Sequence, residues 1–247
     1  MNQDEYERMA ALEQSLWWYR ALHAIQRQRL AALGLAPGSR VLDAGCGTGG
    51  FLQHLQQFLP GLAYSGLEFN SAAAEHARHK TGMMITIGSV NTMPYADGSF
   101  DAIVSNDVLN HAGVQQTEAL QEFLRCLKPG GHLLLNLPAF AWMRSAHDHH
   151  VHNARRYTAG GASTLLVSSG FRVLRAGYWN SLLFPLMLVH RLTVGQSQQS
   201  SDVQMIAPWL NRLFLAIVSQ EARLQRLGLG LPFGGSVWLL AQRPAEI

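Results

Sequence analysis

The stretch VLDAGCGTGG, residues Val41 to Gly50, contains the pattern that decides the fold. Its glycines Gly45, Gly47 and Gly50 have the G-x-G-x-x-G spacing of a loop that joins a strand to a helix and binds a dinucleotide. Asp43 lies two residues before the first glycine, where a carboxylate would repel a pyrophosphate group. The stretch therefore indicates a cofactor that contains adenosine and leaves open which one.

Short apolar runs alternate with helix-like stretches on both sides of this loop. The runs that we predict as strands are, in chain order, RVLDA, LAYSGLE, MMITIG, FDAIVS, GHLLLNL, FRVLRAGYW and GSVWLLAQ. This alternation predicts an α/β fold with a doubly wound, mainly parallel sheet. Ligands of such sheets bind at the carboxyl ends of the strands, so the residues that follow each strand are the first candidates for a site.

The chain of 247 residues is long enough to form one large domain. We expect an N-terminal helical cap over residues 1–36, with one long amphipathic helical region from Asp4 to Leu33, and a cofactor-binding core over residues 37–179. Residues 180–232 are predicted to form a helical insertion that acts as a lid or as the surface of a homodimer. The last strand and the tail occupy residues 233–247.

Composition excludes several classes of protein. A hydrophobic content of 48% with 14% charged residues excludes a disordered chain, and a net charge of +3 is too small to favour nucleic acid as a partner. The most apolar segment, SLLFPLMLV, is broken by Pro185 and is shorter than the roughly 20 residues of a membrane-spanning helix. The two cysteines, Cys46 and Cys126, form no disulfide framework. We expect a cytoplasmic protein without stable membrane insertion that acts on a small-molecule substrate.

Charge narrows the choice of cofactor. Asp43 suits a cofactor that lacks phosphate and carries a positive charge, and S-adenosylmethionine is such a cofactor. Glu68, at the end of the second predicted strand, is placed to accept hydrogen bonds from both ribose hydroxyls. NAD and S-adenosylmethionine share this requirement, so Glu68 does not distinguish between them.

Three motifs, in the correct order, resemble those of the class I S-adenosylmethionine-dependent methyltransferases. VLDAGCGTG looks like their first motif, MPYADGSFDAIVSNDVLNH resembles their region from the third to the fourth strand, and CLKPGGHLLLNLP is similar to the turn before their fifth strand. The resemblance covers roughly residues 40–138. It implies a seven-stranded sheet with an antiparallel last strand, GSVWLLAQ, and the flanking segments look like a bacterial subset associated with sugar or envelope biosynthesis.

The same resemblance implies the contacts to the cofactor. It assigns Asp43 and the glycine loop to the methionine part, Glu68 to the ribose, and Asn106 to the methionine carboxylate or the transferring methyl group. The family usually has an acid near the end of the third strand for the adenine, whereas this chain reads IGSVNTM, so Ser89 and the Val90 amide are expected to serve instead. The expected cofactor-binding residues are Tyr19, Asp43, Gly45, Cys46, Gly47, Glu68, Phe69, Ser89, Val90 and Asn106.

Histidines are the candidates for acid–base catalysis. His111 follows the fourth strand, where a neutral imidazole can take a proton from a hydroxyl or an ammonium group, and a helix-capping role is the alternative. In the segment HDHHVHNARRYT, His147 and His152 are further candidates for this base. The clustered histidines also suggest a metal, but methyl transfer from a sulfonium needs none, so we predict no metal site.

The acceptor is expected to contact the same segment. Arg155 and Arg156 can hold a carboxylate or a phosphate, and Tyr157 can add a hydroxyl; for one of the two arginines, fastening the loop is the alternative. Trp18 or Tyr19 is expected to cover the pocket, with packing in the core as the alternative. The predicted substrate-binding residues are therefore Trp18, His111, Arg155, Arg156 and Tyr157.

The sequence predicts transfer of a methyl group from S-adenosylmethionine to an oxygen or nitrogen of a small molecule that is polar or anionic. An NAD-dependent oxidoreductase and a non-catalytic subunit that binds the cofactor are the alternatives.

Overall fold

A computed structural model describes residues 10–144, 153–194 and 206–245. Within these ranges seven strands form one sheet. The strands are β1 (Arg40–Ala44), β2 (Ala63–Glu68), β3 (Ile85–Ile87), β4 (Phe100–Asn106), β5 (Leu127–Pro138), β6 (Arg172–Trp179) and β7 (Ser236–Gln242).

The strand order in the sheet is β3-β2-β1-β4-β5-β7-β6. β1 pairs in parallel with β2 on one side and with β4 on the other, whereas β7 is antiparallel to both β5 and β6. The direction of winding reverses between β1 and β4, and in open α/β sheets the ligand crevice lies at such a switch point. The predicted fold, with its antiparallel last strand, is confirmed.

Helices cover both faces of the sheet. They are α1 (Trp17–Ala31), α2 (Gly50–Phe58), α3 (Ser71–Thr81), α4 (Gln116–Cys126), α5 (Ala159–Ser168), α6 (Phe184–Val194) and α7 (Pro208–Arg226). Successive side chains of a strand point to opposite faces, so Val41 packs with Leu30 of α1, whereas Leu42 packs with Leu120 of α4. This two-sided burial explains why the central strands read as continuous apolar runs.

The N-terminal region, predicted as one long helical region from Asp4 to Leu33, is not a continuous helix where the structure describes it. Residues 10–12 are helical, residues 13–16 form a turn, and α1 begins only at Trp17. The Glu13 side chain is 4% exposed and accepts a hydrogen bond from the Gly50 amide, so the chain turns here to direct Glu13 inward. A tertiary contact, which the helical pattern does not encode, therefore interrupts the helix.

The described residues before the last strand include the helices α6 and α7, of which α7 packs against α1. Its role as a lid or a dimer surface stays a prediction. No helix in the described part of the chain is both long enough and apolar enough to cross a bilayer.

Candidate active site

The glycine loop that follows β1 is fixed by the ends of two neighbouring strands. The amides of Gly45 and Cys46 donate to the Leu67 carbonyl of β2, over 2.8 and 3.0 Å. Gly45 has a φ of +86°, and a Cβ at this position would lie 2.3 Å from Cγ2 of Val108, which follows β4. Glycine is therefore required here both by the backbone conformation and by the close packing of the two loops.

Three buried carboxyl groups surround this loop. Asp43, Glu68 and Glu13 are 2, 5 and 4% exposed. Burial, with Glu68 and Glu13 adding smaller effects, raises the pKa of Asp43 to about 8. Burial also raises the pKa of Glu13, although the Lys80 ammonium group donates to it. Such a concentration of carboxyl groups favours a cationic ligand, because a positive charge offsets the cost of ionising them.

Glu13 was not among the predicted site residues. Its Oε2 accepts from the Gly50 amide over 3.1 Å, at the N-terminus of α2, where the helix dipole favours a negative charge. The sequence offered no signal for this contact, since Glu13 belongs to an acidic, polar segment 37 positions before Gly50.

Glu68 ends β2 beside the loop, as predicted. Its Oε2 accepts from the Gly47 amide and its Oε1 from the Asn70 amide, each over 2.9 Å. Each carboxylate oxygen has a second lone pair, so this orientation is compatible with further hydrogen bonds from ribose hydroxyls. The neighbouring Phe69 is 79% exposed and flanks the same edge.

The segment predicted to bind adenine is fixed mainly by its backbone. The Ser89 hydroxyl accepts from the Asn91 amide over 3.1 Å, and the Val90 side chain is buried in the main apolar cluster. The roles of Ser89 and Val90 stay predictions.

Asn106, the last residue of β4, faces α1. Its Oδ1 accepts from Nε2 of Gln26 over 2.7 Å, and Gln26 is fully buried. Gln26 was missed by the sequence analysis, although a glutamine on the buried side of an amphipathic helix is a signal for such a partner. The pair orients the Asn106 amide, whose contact with the cofactor stays a prediction.

Asp107 was also missed, and it has the most unusual environment at this edge. Its backbone has a φ of +53°, which residues other than glycine seldom adopt. Its amide donates to the Asn136 carbonyl over 2.8 Å, and its Oδ2 accepts from Nδ2 of Asn136 over 3.0 Å. Nε1 of Trp179 donates to Oδ1 of the same asparagine over 2.6 Å, which connects the ends of β5 and β6 to Asp107.

The environment of Asp107 changes its ionisation. Burial raises the pKa of Asp107 to about 7, while the hydrogen bond from Asn136 and the charge of Arg156 act in the opposite direction. The carboxyl group can thus gain or lose a proton near neutral pH. The signal in the sequence was a second polar residue, directly after Asn106, at the end of a strand.

The structure corrects the role predicted for Tyr157. Its side chain is 9% exposed in the main apolar cluster, where its hydroxyl donates to the Leu109 carbonyl over 2.9 Å and accepts from Gln116 over 2.6 Å. Burial raises the pKa of Tyr157 to about 12. The hydroxyl thus both donates and accepts a hydrogen bond within the core, so Tyr157 supports the segment and does not face a substrate.

Arg155 fastens one loop to another. Its Nη1 donates to the carbonyls of His111 and Val114, each over 2.9 Å, and so holds the loop that follows β4. The structure therefore favours the loop-fastening alternative for Arg155. Arg156 instead donates from Nη1 to the Ala139 carbonyl over 2.9 Å and lies near Asp107.

His111 lies half-buried in the loop that Arg155 holds. Its amide donates to the Val108 carbonyl over 3.1 Å, and its backbone forms a bridge with Asn153. The backbone position of His111 is thus well determined, and its role as a base stays a prediction. His147 and His152 lie outside the described residues, and no group of three metal-ligating side chains occurs within the described ones.

The aromatic residues at the start of α1 pack against neighbouring elements. The rings of Trp17 and Phe214 of α7 have centroids 5.5 Å apart, and the Trp18 and Trp179 centroids are 6.2 Å apart. Both tryptophans join one apolar cluster, which agrees with the packing alternative. Tyr19 packs on His23, with centroids 6.2 Å apart. Contacts of Trp18 and Tyr19 with ligands stay predictions.

Comparison with known proteins relates the central part of the chain to methyltransferases. The family described as methyltransferase domain matches residues 42–135. Demethylmenaquinone methyltransferase of Beutenbergia cavernae is 34% identical over 111 residues, which are 44% of this chain and 45% of that protein. The human protein named probable tRNA methyltransferase 9B is 30% identical over 139 residues, 56% of this chain and 27% of that protein. The chain spans less than half the length of these relatives.

Solved structures share the fold across nearly the whole chain. The methyltransferase bound to the Haloferax volcanii activator Trm112 has a TM-score of 0.65 at 19% identity, over 99% of this chain and 98% of that one. A methyltransferase of Thermotoga maritima has a TM-score of 0.59 at 20% identity, over 97% of this chain and 95% of that one. The chain therefore has the fold of these solved methyltransferases, and its residues 42–135 match the methyltransferase domain family.

Proposed function

We propose that this protein transfers the methyl group of S-adenosylmethionine to an oxygen or nitrogen of a small polar molecule. The observation that carries this proposal is the set of polar side chains at the ends of β4 and β5. Asn106 and Asp107 lie directly before Val108, which packs on Gly45 of the glycine loop. An acceptor placed beside the cofactor would therefore meet groups suited to a hydroxyl or an amine.

The residues of the chain fit the cofactor. Asp43, Glu68 and Glu13 supply negative charge around the glycine loop, and Glu68 offers lone pairs to a diol. Bound there, S-adenosylmethionine supplies an electrophilic methyl group on a positively charged sulfur. The protein then has to hold the acceptor about 3 Å from the methyl carbon and to exclude water, which is mainly a matter of positioning.

Two further groups support a polar or anionic acceptor. The positive charge of Arg156 acts on Asp107, and we propose that its guanidinium group attracts an anionic part of the acceptor. His111, at the next turn of the loop, is a candidate base from the sequence. We further propose that α6 and α7 cover the acceptor, as the lid predicted for residues 180–232.

An RNA acceptor is the second possibility that the experiment has to address, because one relative is named as a tRNA methyltransferase. The charge of this chain does not favour it. The 19 Lys and Arg residues exceed the 16 Asp and Glu residues by only three (19 − 16), whereas RNA-binding surfaces are strongly basic. We therefore propose a small molecule as the acceptor.

Binding of the cofactor is tested by the shift it causes in the Tm of thermal unfolding. At about a hundred times its Kd, S-adenosylmethionine should add roughly 2.7 kcal/mol of stability, or about 5–10 °C in Tm. Glu68→Ala should remove most of this shift. The matched control is Glu75→Ala, since Glu75 is an exposed acid on α3 that pairs with Arg78. No shift in the wild type at millimolar cofactor would contradict the proposed function.

The acceptor is tested with cofactor that carries a labelled methyl group. The protein is incubated with the separated small-molecule and RNA fractions of a cell extract. We expect the label in the small-molecule fraction, bound through oxygen or nitrogen. Label confined to RNA would overturn the proposed acceptor and leave the cofactor assignment intact.

A further inference from the structure

We propose that Asp107 is the catalytic base, the group that accepts the proton of the acceptor's hydroxyl or amine during methyl transfer. This inference rests on the proposed function. It differs from the expectation for His111, and His147 and His152, which lie outside the described residues, are not needed for it.

The position of Asp107 places it between the cofactor loop and the acceptor side of the sheet. It follows the last residue of β4, which neighbours β1 at the point where the winding reverses. The next residue, Val108, packs on Gly45. A group fixed here lies at the junction where an acceptor has to approach the transferring methyl.

The conformation of Asp107 is maintained by contacts from two other strands. Its backbone has a φ of +53°, and Asn136 of β5 holds it through both its backbone carbonyl and its side-chain amide. Trp179 of β6 in turn holds the Asn136 amide and fixes which of its ends faces the carboxylate. Backbone strain that the surroundings enforce in this way is concentrated at active sites.

The hydrogen bond from Asn136 goes to Oδ2, so Oδ1 is the oxygen that we assign as the proton acceptor. The nucleophile's lone pair forms the bond to the methyl carbon, and the carbon–sulfur bond breaks with its electron pair moving to sulfur. The proton that the nucleophile loses moves to Oδ1 and afterwards to solvent. Charge and atoms balance without a further reactant.

The charges around Asp107 support this role. The charge of Arg156, in the segment after β5, acts on Asp107, whereas Asn136 of β5 and Trp179 of β6 are uncharged. The end of β4 meets α1 through the uncharged amide of Gln26. Burial outweighs the effect of Arg156 and raises the pKa of Asp107 to about 7, close to the value that serves a base best at neutral pH.

The first experiment replaces Asp107 by Asn, which keeps the shape and removes the base. With the labelled cofactor and the small-molecule extract fraction, turnover should fall by about 10²–10⁴-fold, while the melting shift with S-adenosylmethionine is kept. The wild-type rate should rise with pH to a plateau above about pH 7. The rate of the variant should not show this rise.

Asp101→Asn is the matched control, because Asp101 lies at the opposite end of β4, where it pairs with Lys128. It should change turnover less than twofold. His111→Gln tests the rival base. A loss of less than tenfold in Asp107→Asn would overturn the proposal, whatever His111→Gln shows, whereas absence of label with the wild type would count against the proposed function instead.

A second measurement needs neither an acceptor nor a folded variant. Protein labelled with ¹³C and ¹⁵N is titrated by NMR, and the Asp107 carboxyl signal is assigned by through-bond correlation to its own backbone amide. We expect a midpoint near pH 7. A midpoint below about pH 5 would overturn the proposal, since the carboxylate would then be a permanently ionised structural group.

Discussion

The buried carboxyl group of Asp43 should make the affinity for S-adenosylmethionine depend on pH. In the free protein, burial and the neighbouring acids raise the pKa of Asp43 to about 8. A bound cation favours the ionised carboxylate and so lowers this pKa. Binding is therefore strongest where Asp43 is already ionised, above about pH 8, and it weakens as the pH falls through that value because a proton has to be released.

The size of the effect follows from the pKa. With a pKa of about 8, roughly a tenth of Asp43 is ionised at pH 7 and roughly nine tenths at pH 9. If only the ionised form binds the cofactor, the apparent Kd should decrease about tenfold between these two pH values. Nearly one proton should be released for each cofactor bound at pH 7.

Calorimetric titration from pH 6 to pH 9, repeated in buffers of different ionisation enthalpy, measures both quantities. The demethylated product lacks the positive sulfur and should show a weaker dependence. Asp43→Asn cannot ionise and should flatten the curve. A wild-type affinity that is constant or decreases from pH 6 to pH 9 would refute the assignment of Asp43 to a cationic ligand.

Two further substitutions test the packing around the site. Gly45→Ala should destabilise the protein by roughly 1–3 kcal/mol and weaken cofactor binding, because the added Cβ meets Val108. Gly38→Ala, at a φ of +80° in open space, is the control for backbone strain alone, and equal losses of Tm in the two variants would argue against the steric clash. Tyr157→Phe should lose both hydrogen bonds of the hydroxyl and so about 1–3 kcal/mol of stability, measured by denaturant unfolding. A rise in KM at unchanged stability would restore Tyr157 to the substrate site.

The local pattern of the sequence determined the fold and the cofactor edge. Apolar runs of strand length, separated by helical stretches, are sufficient to predict the parallel sheet, because burial on both faces requires continuous apolar strands. The glycines after β1 and the acids Asp43 and Glu68 are close in the chain to the strands that position them. Their placement at one edge therefore follows from the topology. The antiparallel last strand came from the resemblance to a family.

Hydrogen-bond partners that are distant in the chain could not be predicted from the sequence. Glu13 and Gly50 are 37 positions apart, Gln26 and Asn106 are 80 apart, and Asn136 and Trp179 are 43 apart. A sequence shows that such residues are polar, but not which group will satisfy each of them once buried.

The segment after β5 illustrates the physical reason. Two arginines and a tyrosine suggested recognition of an anion, and their chemistry is suited to it. In the folded chain, Arg155 donates hydrogen bonds to backbone carbonyls of a loop. Tyr157 is buried in the core, where its hydroxyl donates to a backbone carbonyl. The residue types were set by the sequence, whereas only the tertiary structure decided which polar groups become partners of one another once the chain has folded.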